Sequence, residues 1–299
     1  MHWFVTGSRG QLGSALLEQL ARDEQDASGA DIDEFDVADE ASVRKQIIRL
    51  PRPLVWVNGA GFTQVDRCER EPELARRANS QAPAVLARVC AESGAHFVHV
   101  STDYVFSGDA KRPYREDDPT GPRSMYGRTK LDGDLAVLAT SPGFLVVRTS
   151  WVFGKGRNFI AAVLAQAAAR RDGSASGPLR VVDDQLGRPT YAVDLAAAIV
   201  SLVAARARGV VNFANAGIAS WWDLARHALD TAGYRDLAID RIKTSDMKTD
   251  AVRPAWSVLD TALAESLGVS PRRWQEAVTA YLSSPQSPTA PKPEGSLHA

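Results

Sequence analysis

The stretch W-F-V-T-G-S-R-G-Q-L-G, residues 3–13, joins a short apolar run to a glycine-rich turn and then to the start of a helical pattern. Behind the turn, Leu12, Leu16 and Leu20 recur at the spacing that places them on one face of a helix. A strand, a tight turn and a helix in this order form the first unit of a parallel sheet.

The same unit repeats along the first half of the chain. Short apolar runs stand directly before Asn58, Ser101 and Arg148, and segments of helical length separate them, the longest over residues 71–93. Continuous apolar runs are typical of strands that helices cover on both faces. The sequence therefore predicts an α/β fold with a Rossmann-like doubly wound parallel sheet.

Composition limits the partners. The chain has 299 residues, with 35 Lys and Arg against 36 Asp and Glu, so we expect no nucleic acid and no anionic membrane as partner. We find no signal-peptide pattern and no apolar run near the roughly 20 residues that span a bilayer. Cys68 and Cys90 lack metal-ligand spacing, and we interpret them as reduced thiols of a cytoplasmic protein.

The glycines of the first turn have phosphate-binding spacing. Gly7, Gly10 and Gly13 form G-x-x-G-x-x-G between a predicted strand and a predicted helix, where the backbone can approach a pyrophosphate. A purely structural turn would use the same residues, so the triplet leaves both alternatives open. A second small-residue run, where a nucleotide could lie against the backbone, follows the third strand: Gly59, Ala60 and Gly61.

An acidic residue about 20 positions after such a loop normally binds the adenine ribose. Asp31 is the candidate, with Asp36 as a contact at the adenine edge. The segment D-A-S-G-A-D-I-D-E-F-D around them is polar for an inner strand, so a solvated surface is the alternative for both carboxylates. The choice between NADPH and NADH stays open, because Arg9 could meet a 2′-phosphate that Asp31 would repel.

Tyr126 and Lys130 form Y-x-x-x-K, which places both on one helix face, a turn apart. An adjacent ammonium would lower the phenol pKa from about 10 and could also bond a nicotinamide ribose. Thr102 ends a predicted strand, where open α/β sheets bind ligands. An exposed helical pair is the alternative, but the three residues together predict acid–base catalysis on a carbonyl group.

With these residues in place, the chain resembles an extended short-chain dehydrogenase/reductase. Within that superfamily it is similar to the dTDP-4-dehydrorhamnose reductase family from the N-terminus to about Leu282. The shared motifs are G-Q-L-G, V-D-x-C-E-x-E-P, S-T-D-Y-V-F-x-G, Y-G-x-T-K-L-x-G, R-T-S-W-V-F-G, D-D-Q-x-G-x-P-T and R-P-A-W-S-V-L-D.

The resemblance implies that NADPH or NADH reduces the 4-keto group of dTDP-4-dehydro-6-deoxy-L-mannose, giving dTDP-L-rhamnose for surface polysaccharide. It implies that Thr102, Tyr126 and Lys130 are catalytic, with Tyr126 as the proton donor. The implied cofactor residues are Gly7, Gly10, Gln11, Leu12, Gly13, Asp31, Asp36, Val37, Gly59, Ala60, Gly61, Val100, Tyr126 and Lys130. The implied substrate residues are Thr102, Asp103, Tyr104, Trp151 and Asn158.

Some of these roles have structural alternatives. Trp151 would cover the sugar, although a Trp after a strand is commonly part of a core. Asn158 belongs either to a substrate lobe or to loop scaffolding. Trp221 and Trp222 follow Ser220, a predicted helix N-cap, and we interpret both as packing residues.

We assign residues 1–150 to an NAD(P)-binding Rossmann domain, to which the chain returns at about residues 179–215. Residues 151–178 and 216–283 are expected to form a smaller substrate-binding lobe. The segment 284–299 is rich in Pro and Ser and is expected to be disordered.

The chain also departs from its family. Some members have two glutamates that form a magnesium-dependent dimer contact, and this sequence has Ala15 and Val193 at those places. Because magnesium requires oxygen ligands, we expect no such metal site and a monomer or weak homodimer.

Two other functions stay open. A nucleotide-sugar dehydratase or epimerase would share the fold, but the dehydratase motif has a glutamate base where this chain has Tyr104. A non-catalytic regulatory subunit could keep the fold without turnover. The complete set of Thr102, Tyr126 and Lys130 argues against that second function.

Overall fold

The protein is described by a computed structural model over residues 1–288. The strands are β1 (His2–Thr6), β2 (Asp26–Ala30), β3 (Leu54–Asn58), β4 (His96–Thr102), β5 (Leu145–Thr149), β6 (Val152–Phe153), β7 (Leu179–Val182), β8 (Leu186–Gly187), β9 (Thr190–Tyr191), β10 (Gly209–Asn212), β11 (Ala219–Ser220) and β12 (Ile239–Ile242). The helices are α1 (Gln11–Arg22), α2 (Glu40–Arg49), α3 (Val65–Arg70), α4 (Pro72–Arg76), α5 (Ala82–Ser93), α6 (Met125–Thr140), α7 (Phe159–Arg171), α8 (Ala192–Ala204), α9 (Trp221–Thr231), α10 (Ala262–Ser266) and α11 (Trp274–Leu282).

The central sheet has six parallel strands in the order β10-β5-β4-β3-β1-β2. Successive side chains of β1 point to opposite faces: Trp3 and Val5 pack with residues of α1 and α8, while Phe4 packs with residues of α2, α5 and α6. Burial on both faces explains the continuous apolar runs, since each large side chain contributes about 1.5–3 kcal/mol. The predicted doubly wound α/β fold is confirmed.

The polar strand β2 lies at the edge of this sheet, next to β1. Its sequence, D-A-S-G-A, has only Ala30 fully buried. A Cβ on Gly29 would lie 2.6 Å from Cβ of Ser8, so only a residue without a side chain fits where the glycine loop crosses this strand. The edge position therefore explains why this segment looks too polar for an inner strand.

The second half of the chain builds a separate apolar cluster from α7, α9 and α11 with short strands. Here the structure differs from one predicted boundary. Strand β7 pairs with β12 in its own two-stranded sheet, so the chain does not return to the central sheet at residue 179. It returns through α8 and β10, because a four-residue apolar strand does not specify which sheet it joins.

The predicted extent of the lobe also needs correction at its far end. Ala264 and Val269 pack into the same cluster as Trp3 and Val5 of the central sheet. Residues 262–269 therefore support the sheet, although we expected the whole of 216–283 in the smaller lobe. The remaining boundaries stay predictions.

We predicted a disordered tail from residue 284, and the structure describes residues 284–288 with contacts to the rest of the fold. Ser284 Oγ donates to the Tyr281 carbonyl at 2.7 Å, Gln286 Nε2 donates to Glu18 Oε2 at 2.8 Å, and Ser287 is 7% exposed. Residues 289–299 lie outside the described part of the chain. Within residues 1–288, no helix is long and apolar enough to cross a lipid bilayer.

Candidate active site

The glycine loop is shaped for close approach. Gly7 has φ +75°, which favours glycine, and a Cβ on Gly13 would lie 2.0 Å from the Gly7 carbonyl oxygen. Helix α1 starts after Gly10, whose position offers no side-chain cap to the first N–H groups. Free N–H groups and the positive end of the helix dipole suit an anion such as a pyrophosphate.

A cavity of about 530 Å³ opens beside this loop, at the carboxyl ends of β1, β2 and β3. Ile32, Phe35 and Leu74 give it apolar walls, as an adenine ring requires. These features fit a dinucleotide. The predicted cofactor residues that line the cavity are Gly7, Gly10, Asp31, Val37, Gly59, Ala60 and Gly61.

The remaining predicted cofactor residues lie elsewhere. Among the residues that line this cavity, Gln11, Leu12, Gly13, Asp36, Val100, Tyr126 and Lys130 do not appear. Leu12 packs against the core, and Asp36 pairs with Arg77. Partial burial raises the pKa of Asp36, but the Ala38 N–H and Arg77 outweigh it and lower the pKa overall.

Charge at the ribose end of the cavity is mainly negative. The Arg9 backbone N–H donates to Asp31 Oδ2 at 3.1 Å, and the Arg9 guanidinium pairs with Asp33. Arg9 would have to leave Asp33 to meet a 2′-phosphate. Asp31 could accept from a ribose hydroxyl here, while the Arg9 guanidinium is already paired with Asp33.

Thr102 and Tyr126 lie close together at the carboxyl end of β4. Burial raises the pKa of Tyr126, and the nearby Thr102 hydroxyl only partly opposes this. Burial thus outweighs the lowering by Lys130 that we predicted, and that lowering stays a prediction. A phenol that stays protonated at neutral pH suits a proton donor rather than a base.

Lys130 is 4% exposed and lies one helical turn beyond Tyr126 on α6. Its Nζ donates to the Val100 carbonyl at 2.6 Å and lies 3.2 Å from His99 Nε2. Burial lowers the pKa of Lys130 to about 8, although the Asp134 carboxylate acts in the opposite direction. Val100 thus contacts the catalytic lysine through its carbonyl group.

The next residues of the S-T-D-Y motif pack around the same point. Thr102 Oγ1 donates to Asp103 Oδ1 at 3.0 Å and accepts from the Tyr104 N–H at 3.2 Å. The Tyr104 ring meets the Tyr126 ring edge-on at 5.5 Å between centroids. Burial also raises the pKa of Tyr104, so both phenols stay neutral.

Helix α6 is held in place by contacts at its N-terminus. Ser124 caps it by accepting from the Gly127 N–H, and Glu69 Oε1 accepts from the Met125 N–H at 2.7 Å. A Cβ on Gly127 would lie 2.2 Å from the Tyr104 carbonyl oxygen. The glycine of Y-G-x-T-K therefore lets the helix approach the S-T-D-Y turn and fixes where Tyr126 lies.

A π-helical turn, Arg77–Gln81, interrupts the long helix that the sequence predicts over residues 71–93. Within it Asn79 is fully buried, accepts from the Phe62 N–H at 2.8 Å and donates to Thr129 Oγ1 of α6 at 3.2 Å. The irregular turn thus joins the small-residue loop after β3 to the catalytic helix.

The ring of Trp151 lies between the Trp221 ring and Gly187. Its backbone has φ 49°, its ring stacks on Trp221 at 3.7 Å with 7° between the planes, and a Cβ on Gly187 would lie 2.6 Å from its ring. Our interpretation of Trp221 as simple packing missed this stack. Trp222 does pack, under Arg241 and with Nε1 on the Ile239 carbonyl.

Asn158 is used within the protein. It caps α7 by accepting from the Ala161 N–H at 3.0 Å, and its amide donates to the Gly154 carbonyl at 2.6 Å and Tyr281 Oη at 3.0 Å. With these groups engaged, the arrangement favours loop scaffolding over the predicted substrate contact.

A buried polar network under the catalytic residues escaped sequence reasoning. It comprises Asn58, His99 and Asp134 with Arg148, whose Nε donates to Asp134 Oδ2 at 3.2 Å. The available signal was a histidine inside the apolar run H-F-V-H-V. A polar residue at a buried strand position needs a partner, and here that partner is Lys130.

The chain is similar to known proteins over nearly its whole length. The model of the RmlD substrate binding domain matches residues 1–287. A dTDP-4-dehydrorhamnose reductase of Mycobacterium tuberculosis is 38% identical over 294 residues, which cover 96% of this chain and 94% of that protein.

Two further relatives bear on the chemistry. A probable dTDP-4,6-dihydroxy-2-methyloxan-3-one 4-ketoreductase of Streptomyces antibioticus is 38% identical over 282 residues, 93% of each chain. The crystal structure of a dTDP-4-dehydrorhamnose reductase from Bacillus anthracis in complex with NADP has a TM-score of 0.88 at 29% identity and covers 94% of this chain and 98% of that one. The family resemblance read from the motifs is confirmed. The chain belongs to the RmlD substrate binding domain family.

Proposed function

We propose that the protein is a nicotinamide-dependent reductase that converts the 4-keto group of dTDP-4-dehydro-6-deoxy-L-mannose to the hydroxyl of dTDP-L-rhamnose. The observation that supports this most directly is the meeting of Thr102, Tyr126 and Lys130 at the carboxyl end of β4, in the same sheet edge as the dinucleotide cavity. The assignment of a dTDP-sugar as the substrate rests on the names of the relatives.

Tyr126, Thr102 and Lys130 each have a separate role in the proposed reaction. Tyr126, protonated because burial raises its pKa, gives its proton to the keto oxygen, and Thr102 donates a hydrogen bond to the same oxygen after its hydroxyl hydrogen turns away from Asp103 Oδ1. The Lys130 ammonium stabilises the phenolate that Tyr126 becomes. A bound reduced nicotinamide supplies the two electrons and the hydrogen for the carbonyl carbon. Gly7, Gly10 and Asp31 would hold NADPH or NADH.

The competing functions are less well supported. A dehydratase needs a base next to the carbonyl, and the position of that base is occupied by Tyr104, whose pKa is raised. An epimerase needs a cofactor that is recycled rather than consumed. A related dTDP-sugar ketone is the second candidate substrate, because the Streptomyces antibioticus relative is as similar as the Mycobacterium tuberculosis one.

The test is an assay of NADPH and NADH oxidation with enzymatically prepared dTDP-4-dehydro-6-deoxy-L-mannose, in which dTDP-L-rhamnose is quantified. We expect one product per cofactor oxidised. Tyr126→Phe should lower kcat by about 10²–10⁴-fold. Tyr234→Phe is the matched control, because its ring packs against the Arg171 guanidinium in the smaller lobe, and it should retain activity within about tenfold. Equal losses in both variants, or turnover only with a different dTDP-sugar, would contradict the proposal.

Three points remain predictions from the sequence. These are a cytoplasmic location, a monomer or weak homodimer, and a place in the synthesis of lipopolysaccharide or another surface polysaccharide.

A further inference from the structure

A row of buried polar side chains crosses the sheet and ends on Lys130. Thr6 Oγ1 donates to Asn58 Oδ1 at 2.9 Å, Asn58 Nδ2 lies 3.2 Å from His99 Nδ1, and His99 Nε2 lies 3.2 Å from Lys130 Nζ. Exposure of the four residues is 1%, 1%, 0% and 4%. Because water does not reach these groups, each hydrogen must point at a protein acceptor.

The first step is the orientation of Asn58. The Ala60 backbone N–H, which can only donate, points at Asn58 Oδ1 at 3.2 Å. Trp56 Nε1 donates to Thr6 Oγ1 at 3.4 Å, which leaves the Thr6 hydroxyl hydrogen for the same Oδ1. Both donors fix the oxygen of the Asn58 amide on their side. The Asn58 NH₂ group therefore faces His99.

The second step is the tautomer of His99. Its Nδ1 accepts from Asn58 and so has no hydrogen. Burial, helped by the nearby Lys130, lowers the pKa of His99 well below its ordinary value, so the ring is neutral and its single hydrogen lies on Nε2. That hydrogen faces Lys130 Nζ at 3.2 Å. The other candidate acceptor, Asp134 Oδ1, is 3.8 Å away, beyond hydrogen-bond distance.

The third step concerns Lys130. One Nζ hydrogen goes to the Val100 carbonyl at 2.6 Å. An ammonium has no lone pair to accept the His99 hydrogen, whereas a neutral amine has one. We propose that His99 is a positioning residue for Lys130, which presents an Nε2–H donor to Nζ and thereby favours the neutral amine over the ammonium.

The charged neighbours are consistent with this assignment. From α6, Asp134 favours the ammonium, and from β5 Arg148 donates to Asp134 Oδ2 at 3.2 Å and offsets part of that charge. Tyr126, which also lies on α6, stays neutral. Burial lowers the pKa of Lys130 to about 8, so the ammonium loses its proton just above neutral pH. Repulsion between the His99 Nε2–H and an Nζ hydrogen can therefore shift the pH at which Lys130 loses this proton.

The first test does not depend on activity. Protein labelled with ¹⁵N-histidine contains five histidines, and the resonances absent from His99→Gln identify the ring of His99. We expect ¹⁵N shifts at pH 7 that show a protonated Nε2 and an unprotonated Nδ1. The opposite tautomer, or a doubly protonated ring, would overturn the proposal. The measurement needs only the folded wild-type protein and the variant used for assignment.

The second test rests on the proposed function and measures kcat against pH. Activity that needs the ammonium should fall as pH rises through about 8. His99→Gln supplies an amide oxygen that can accept from the ammonium. The fall in kcat, the alkaline limb of the pH profile, should therefore move to a pH about one unit higher. His99→Leu removes the Nε2–H donor without supplying an acceptor, so the fall in kcat should also move to higher pH, but by less than in His99→Gln. His96→Gln, in the same strand, is the matched control and should leave the limb in place.

The outcomes distinguish the proposal about His99 from the proposed reductase function. A fall in kcat that stays in place or moves to lower pH in both His99→Gln and His99→Leu would sink the proposal. Absence of turnover in the wild-type protein would contradict the proposed function, while the nitrogen shifts would still decide the tautomer. If either variant fails to fold, as judged by circular dichroism, Asn58→Asp replaces it. A carboxylate there demands a hydrogen on Nδ1 and should also move the limb up.

Discussion

Asp103 is 2% exposed, accepts from the Thr102 hydroxyl at 3.0 Å and lies near Tyr126, the proton donor that we propose. Burial raises the pKa of Asp103 to about 6, although the nearby Ser257 and Thr102 hydroxyls oppose it. At neutral pH the protein therefore keeps a carboxylate where an uncharged group would be more stable. Such a cost is typical of a functional site.

We predict that Asp103→Asn stabilises the protein at pH 7. The folded-state pKa of about 6 exceeds the unfolded value near 4, so folding loses stability as pH rises between these values and stays lower above them. The amide has no charge to lose, and the gain should be about 1–3 kcal/mol at pH 7 and vanish below about pH 4. Urea unfolding at both values measures it, and a gain independent of pH would contradict the reasoning.

Helix α6 is the element on which the site depends most, because Tyr126 and Lys130 both lie on it. Its distance from the S-T-D-Y turn is set by Gly127, where an added Cβ would lie 2.2 Å from the Tyr104 carbonyl oxygen. Backbone on both sides of this contact leaves little room to move, so packing here controls where the phenol lies.

We predict that Gly127→Ala destabilises the protein by about 1–3 kcal/mol through overpacking. Helix propensity alone predicts the opposite sign, a gain of about 1 kcal/mol. Displacement of Tyr126 should also lower kcat/KM at least about tenfold. Gly143→Ala is the control, since its Cβ would lie 3.4 Å from Ser141 Oγ, and it should change unfolding by less than about 0.5 kcal/mol. A stabilised, fully active Gly127→Ala would refute this role.

At the scale of the whole molecule, the ion pairs Asp66–Arg253 and Arg70–Asp250 join the first and last thirds of the chain. Arg253 Nη2 donates to Asp66 Oδ2 at 2.6 Å across 187 residues of sequence, and Asp66 also accepts from the Asp250 and Ala251 N–H groups at 3.1 Å. The Arg253 hydrogen bond, working against partial burial, lowers the pKa of Asp66 to about 2. The pair therefore stabilises the fold above about pH 4 and is lost as pH falls towards 2.

We predict that Arg253→Met costs about 1–3 kcal/mol at pH 7, because it leaves the Asp66 carboxylate without its charged partner. The double variant Asp66→Asn/Arg253→Met should lose at least about 0.5 kcal/mol less than the sum of the single variants. Chemical unfolding of the four proteins measures this coupling. Strict additivity would show that the two residues do not stabilise the fold as a pair.

Much of the fold and site could be predicted because the signals are local. Apolar runs such as L-V-W-V show buried strands, and the order of a run, Gly7 and a helical pattern predicts a βα unit. Thr102, Tyr126 and Lys130 could be found because their chemistry and spacing are read along the chain. Asn158 shows the limit, since a polar residue after a strand looks the same whether it caps a helix or binds a sugar.

The sequence by itself determined the α/β class and the glycine loop and singled out Thr102, Tyr126 and Lys130 as catalytic candidates, since periodicity, backbone freedom and side-chain chemistry are properties of neighbouring residues. Only the tertiary structure decided that β7 pairs with β12, that burial raises the pKa of Tyr126, and that His99 meets Lys130. Burial and hydrogen-bond partners come from segments far apart in the chain, and folding alone brings them within a few ångströms.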